Sequence, residues 1–307
     1  MNNIYPISFS IPFEKITNIN EDMSKNRLVS SLIPGKLNTY IYNNEIDYYK
    51  QYSESMFAIT SKKSGWDCLR HYEILACGTI PLFIDLNKCP NTIMTMLPKD
   101  LIYKGNDLYN KIKIQGTTNE LILEYKLLQT RLMEYTINNL TTKSIAKYVC
   151  DTIGLNYNIE TSRLLFLSGN TSPDYLRCLT LHGFKDLLGS RCHDYPKITH
   201  LYKHEPIDYT KLYGKGFTYT NLLEQDKRTT KNDETIINDL TNNKYDFIIY
   251  GSCHRGMPYY DLVKKHYEPC KIILLCGEDL DHGKTGHECK FAEYSNKGHI
   301  VFIRELI

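Results

Sequence analysis

The chain has one tryptophan in 307 residues, no excess of either charge and no apolar run near the roughly 18–20 residues a membrane helix needs. Lys+Arg 37 against Asp+Glu 35 leaves a formal net charge of +2. The balance holds in each half, with 17 basic and 15 acidic groups in residues 1–155 and 20 of each in residues 156–307. Without a basic face there is no footprint for a phosphate backbone, so nucleic acid is not an expected partner. The opening MNNIYPISFSIPFEK lacks a basic start followed by an apolar core, so no signal peptide is expected. The ten cysteines (68, 77, 89, 150, 178, 192, 253, 270, 276 and 289) contain no Cys-x-x-Cys spacing. A reduced, cytoplasmic compartment follows, with most thiols acting as small apolar fillers and the sequons at Asn139 and Asn170 left unmodified. No internal repeat is visible.

What is present is an ordinary globular balance, 42% hydrophobic and 23% charged, which excludes wholesale disorder, collagen and coiled-coil arrays. In the first half, Met56–Thr60 and Ile80–Ile84 are short β-prone runs. Between them lies Ser61-Lys62-Lys63-Ser64-Gly65, then a helix-capable stretch from Trp66 to Cys77 that stops at Gly78. Strand, turn, helix, strand is a βαβ unit and predicts a parallel sheet. Leucines at helical spacing predict a helix over Asn119–Asn139, and a second follows near Lys143–Ile153. Two helices in succession suggest the close of a domain. The second half starts afresh with Arg163–Leu167, a helix over Pro173–Leu188 ending at Gly189, and apolar runs at Tyr245–Tyr250 and Lys271–Cys276. Each run ends in glycine or a small polar residue, as central parallel strands do. The expectation is an α/β chain of two Rossmann-like domains, 1–155 and 156–307, divided near Gly154–Ser162.

The stretch Ser61 to Pro81 carries the most chemistry. On a helix, Glu73 falls among Leu69, Ala76 and Cys77, with Arg70 one turn back. A carboxylate on an apolar flank needs donors if it is buried. Arg70 at i,i+3 supplies them at a surface, and two ribose hydroxyls would supply them in a cleft. The amides of Ser61–Gly65, with two serines and two lysines ahead of a helix, make a candidate anion site.

Arg70-x-x-Glu73-x-x-x-x-Gly78-x-Ile80-Pro81 resembles the donor-binding signature of GT-B glycosyltransferases, the exostosin-like ones above all. The likeness runs with falling clarity over residues 50–105, through Cys89-Pro90 and Leu97-Pro98. It implies that Glu73 binds the ribose of a UDP- or GDP-linked sugar, and that Arg70 with Lys62 or Lys63 holds the diphosphate. Gly65 belongs to the phosphate loop, and Gly78 would let the chain pass close to the ligand. The activity implied is transfer of a hexosyl or pentosyl group to a glycan or protein hydroxyl, with the nucleotide sugar as co-substrate and no cofactor or metal. GT-B enzymes carry this signature in the second of two domains facing a cleft, whereas here it lies in the first half. The second half, with DYLRCLTLHGFKDLLG and YDFIIYGS, resembles the acceptor-type domain. Circular permutation or fusion would account for the order. Under permutation, Ile300–Leu306 and Ile4–Phe9 would run on as one hinge segment, bringing Met1 near Ile307.

An inverting transfer needs a base within reach of the acceptor hydroxyl, and Asp174 and His254, each following a predicted strand, are the candidates; a retaining transfer, in which the leaving phosphate itself assists, is equally open. The rival readings are a non-catalytic nucleotide- or glycan-binding relic, and a methyltransferase using the Arg163–Asn170 turn, which has one glycine, Gly169. Gly283-Lys284-Thr285 is no phosphate loop, because the glycine required five positions earlier is Glu278. Cys276, His282, His287 and Cys289 lack a zinc-knuckle spacing, and the Asp279/Asp281 pair is a weak candidate for a hydrated ion.

Overall fold

The computed structural model describes residues 3–17, 25–155, 159–225, 233–279 and 286–306, and of 233 and 286–290 the backbone alone. In chain order its strands are β1 (Ile4–Pro6), β2 (Arg27–Val29), β3 (Ser55–Thr60), β4 (Ile80–Phe83), β5 (Leu164–Leu167), β6 (Cys192–Tyr195), β7 (Phe247–Tyr250), β8 (Ile272–Cys276) and β9 (Ile300–Ile303). Its helices are α1 (Glu45–Ser53), α2 (Leu69–Ala76), α3 (Lys99–Gln115), α4 (Asn119–Asn139), α5 (Thr142–Thr152), α6 (Tyr175–Leu188), α7 (Asp233–Thr241), α8 (Tyr260–His266) and α9 (Gly286–Asn296).

The expected βαβ unit is β3–α2–β4, with Phe57 opposite Ile80 and Thr60 opposite Phe83 in a parallel ladder. α2 stops because Gly78 takes φ +58, the left-handed conformation glycine reaches at no steric cost, while the Gly78 and Thr79 amides bond back to Leu75 and Ile74. β4 is an edge strand, the place in a sheet that tolerates Pro81. With β2 these strands make a three-stranded parallel sheet, order β2-β3-β4. α4 starts on Thr118, whose hydroxyl accepts from the Leu121 amide, and α5 on Thr141 in the same way.

The larger sheet has six parallel strands in the order β1-β9-β8-β7-β5-β6. Leu164–Leu167, Ile272–Cys276 and Ile300–Ile303 are wholly buried, as strands covered on both faces must be. From β5 the chain moves outward to β6, then returns to build β7, β8 and β9 on the other side. The order therefore reverses between β5 and β7, the point where open α/β sheets place their ligands. The smaller sheet draws only on residues 1–155. The larger draws on residues 156–307 and on β1. One apolar core, running from Ile7 and Phe57 to Phe184 and Phe302, joins helices and strands of both halves.

The two terminal segments do not run on end to end. They lie side by side as parallel strands, Ile4 opposite Val301 and Pro6 opposite Ile303. Both are apolar and of strand length, so each satisfies its backbone laterally, in a ladder, rather than as one continuous hinge. Met1 and Ile307 fall outside the described residues. Among the described residues no helix is long and apolar enough to cross a membrane. None of the nine described cysteines forms a disulfide and only Cys270 is exposed, in keeping with a role as apolar fillers.

Candidate functional site

A cavity of about 1060 Å³ lies where the carboxyl ends of the two sheets converge. Its walls follow strand after strand: Phe9 after β1, Tyr40 and Tyr42 after β2, Lys63 to Glu73 after β3, Asp174 and Tyr175 after β5, His254 and Arg255 after β7, Glu278 and Asp279 after β8, Arg304 after β9. Tyr213–Phe217, from the long segment after β6, close the remaining side. Of the sequence-derived candidates, Lys63, Gly65, Arg70, Glu73, Asp174 and His254 line this cavity, whereas Lys62 and Gly78 do not. Lys62 lies 5.2 Å above the Trp66 ring. Gly78 caps α2 and gives its carbonyl to Gln129 (2.6 Å), so its conformation serves the helix end and not a ligand.

Glu73 is 6% exposed, and its donors come from the chain itself. Tyr48 donates to Oε2 at 2.6 Å, and Thr218 donates to Oε1 at 2.5 Å. The expectation that a ligand supplies all its missing partners is corrected: helix α1 and the segment after β6 bring two. Burial still pushes the Glu73 carboxyl above its ordinary value against the pull of both donors. Burial likewise raises Tyr48 well above the ordinary phenol range, with Glu73 beside it adding to the effect. The Arg70–Glu73 surface pair does not form either. Arg70 is directed backward, donating from Nε to the Thr60 hydroxyl (3.1 Å) and from Nη2 to the Ser61 carbonyl (3.0 Å).

The anion site is expected on the amides of Ser61–Gly65, but a carboxylate of the chain itself sits on the two amides that follow them. The amides of Trp66 and Asp67 donate to the carboxylate of Glu305 at 3.1 and 2.8 Å. Glu305 is 2% exposed and bonds Arg304, itself 1% exposed, at 2.8 Å. Arg304 also donates to the Asp67 and Gly277 carbonyls and to Asp279. A methyl at Gly65 would stand 2.4 Å from Glu305 Oε1, so the loop is moulded onto that carboxylate. Asp67 turns inward to the Phe9 amide (2.7 Å) and the Tyr72 hydroxyl (2.8 Å), and burial pushes it up to about 7. A carboxylate at a helix start is what the exposed amides and dipole favour. Here the protein provides its own.

On the opposite wall, Asp174 is the cap of α6. Oδ1 accepts from the Arg177 amide (3.0 Å), and Oδ2 accepts from the Ser252 hydroxyl (2.9 Å) with Arg255 Nε at 3.4 Å. With both oxygens so engaged, Asp174 holds the β5 and β7 loops together. His254 Nε2 lies 3.7 Å from Asp174 Oδ2 and 3.2 Å from Arg255 Nε. Burial works to lower His254, but its contact with Cys276 and the nearby carboxylates carry it above its ordinary value. A hydrogen bond from Cys253, with His254 adding to it, brings the Cys276 thiol down to about 5 despite burial. The turn at Gly169 is packed by backbone, since a methyl there would meet the Arg255 carbonyl at 2.4 Å.

Sequence reasoning missed Tyr48, Thr218, Arg304 and Glu305. Tyr48 and Tyr52 at i,i+4 mark one face of α1, and Arg304-Glu305 at the end of an apolar strand was a visible charge pair. Nothing local signals Thr218, which lies 145 residues from its partner. Gly283–Thr285, Asp281, His282 and the side chains of His287 and Cys289 lie outside the described residues. No match was found to any protein family, to any curated protein or to any solved structure.

Proposed function

We propose that the protein is a glycosyltransferase that moves a sugar from a UDP- or GDP-linked donor to a hydroxyl of a glycan or protein, its two sheets acting as GT-B-like lobes around the cavity. The observation that carries this reading is that one cavity, at the carboxyl ends of both sheets, is walled by Lys63, Arg70 and Glu73 on one side and by the β5/β7 switch point on the other.

An ionised carboxylate offers about four acceptor positions. Tyr48 and Thr218 occupy two at Glu73, so two remain for ribose hydroxyls, whose arrival would favour the ionised form. Tyr40, Tyr42 and Phe217 offer faces for a base or sugar ring. Lys63, Arg70, Lys215 and Arg255 bring positive charge to the same space, where it would stabilise the departing diphosphate. In the transfer, the acceptor oxygen bonds to the anomeric carbon as the bond to the diphosphate breaks, and the hydroxyl proton leaves to a base, for which Asp174 and His254 on the cavity wall are the candidates.

A second reading, a binding protein that no longer catalyses transfer, is favoured by Glu305, whose carboxylate takes the helix-start amides a donor phosphate would otherwise use. Thermal unfolding with and without UDP, GDP and their sugar conjugates tests both. Stabilisation by one nucleotide, lost in Glu73→Ala, supports the donor site. Slow hydrolysis of the matching nucleotide sugar then separates an enzyme from a relic. No stabilisation by any nucleotide removes the assignment of Glu73.

A further inference from the structure

We propose that His254, Cys276 and Glu278 form a binding site for a divalent transition cation of the zinc type in the wall of the cavity. β7 and β8 are neighbours in the larger sheet, and their carboxyl ends bring the three residues together. His254 stands in the turn after β7, Cys276 is the last residue of β8, and Glu278 follows two residues later. A ring nitrogen, the thiol sulfur and a carboxylate oxygen all lie within 4.8 Å of one another. Ligand atoms around a zinc ion, at bonds of roughly 2.0–2.3 Å, stand about 3.3–3.8 Å apart in a tetrahedron. Closing that gap of about 1 Å is within the reach of side-chain rotation at Glu278, which is exposed.

The histidine is set for the role. Its Nδ1 is buried without a hydrogen-bond partner, an arrangement that buried polar atoms rarely keep unless something else satisfies them. Its Nε2 is the nitrogen already engaged, accepting from Arg255 Nε at 3.2 Å with Asp174 Oδ2 at 3.7 Å, which leaves Nδ1 as the nitrogen still to be satisfied. Mixed sulfur, nitrogen and oxygen donors select zinc-like ions over magnesium or calcium, which prefer oxygen alone. Three protein ligands leave a fourth position, and because His254 and Glu278 both line the cavity it opens there. That a donor diphosphate would take that position rests on the proposed transferase reading. The binding of the cation does not.

The test is a cobalt(II) titration of the full chain under reducing conditions, followed by absorption spectroscopy and needing no nucleotide. The expected result is a thiolate-to-cobalt charge-transfer band with tetrahedral d–d bands, saturating at one equivalent and bleached by zinc. Cys276→Ser abolishes the charge-transfer band, and His254→Ala and Glu278→Gln each weaken binding by about tenfold or more. Glu278→Gln changes an exposed side chain, so it reports on the site even where a buried variant unfolds. Absence of the band in the unaltered protein, unchanged affinity in Glu278→Gln, or a band that depends on Cys289 instead of Cys276 overturns the proposal.

Discussion

His71 offers a quantitative test of how the loop before α2 is held. The ring is fully buried and packs on Phe83 at 4.5 Å between centroids. Nε2 lies 2.9 Å from the Trp66 carbonyl, which can only accept, so Nε2 carries the proton and Nδ1 accepts from the Thr60 hydroxyl at 2.8 Å. That hydroxyl in turn accepts from Arg70. The imidazole is therefore neutral in the folded state, and burial pushes it down to about 3 from an ordinary value of 6.5. Below 6.5 the unfolded chain takes up a proton that the folded chain refuses until about 3. Stability accordingly falls on acidification through that window, by about 1.4 kcal/mol per pH unit, or about 2 kcal/mol between about pH 7.5 and about pH 5. The comparison is urea denaturation of the unaltered protein and His71→Gln at both pH values. The variant is less stable throughout, but its loss on acidification is about 2 kcal/mol smaller. His200, also lowered, and Asp67, raised and so opposite in sign, act in both proteins and cancel. Equal losses in the two proteins would refute a buried neutral His71.

Gly65→Ala places a methyl 2.4 Å from a Glu305 carboxylate pinned by two amides and Arg304, so a destabilisation of about 1–3 kcal/mol is expected in the same denaturation assay. An unchanged midpoint would mean that Glu305 yields. Asp174→Ala removes the α6 cap and strands Ser252 and Arg255, for a loss of about 2–4 kcal/mol, whereas Asp174→Asn keeps the cap and recovers part of it. Equal losses in the two variants would place the stabilisation in charge alone.

Much of the architecture was legible because it is local. The β3–α2–β4 unit declares itself through two apolar runs, a glycine stop and a turn between them, and the bounds of α4, Asn119–Asn139, follow from the spacing of its leucines. β2 and β6 escaped because Arg27–Val29 and Cys192–Tyr195 are short and mixed in polarity, and join sheets through partners far along the chain. The same distinction governs the site. Periodicity put Glu73 on the apolar flank of α2 and led to its burial, but it could not show that Tyr48 and Thr218 would reach it. The anion-site signal pointed to the amides of Ser61–Gly65, whereas the amides that hold a carboxylate are those of the next two residues, Trp66 and Asp67. Their partner comes from residue 305, and no window of sequence holds both.

The pairing of β1 with β9 has a consequence for biosynthesis. The Asn3 amide bonds Ser295, and Trp66 bonds Glu305, contacts that span 292 and 239 positions. While the ribosome is still translating, the first strand has no neighbour and the amides ahead of α2 have no acceptor. The smaller sheet can assemble early, but its cavity-facing loop and the outermost strand of the larger sheet are completed only when residues near 300 emerge. For most of its synthesis the nascent chain thus presents an unpaired edge, a natural place for a chaperone to hold it.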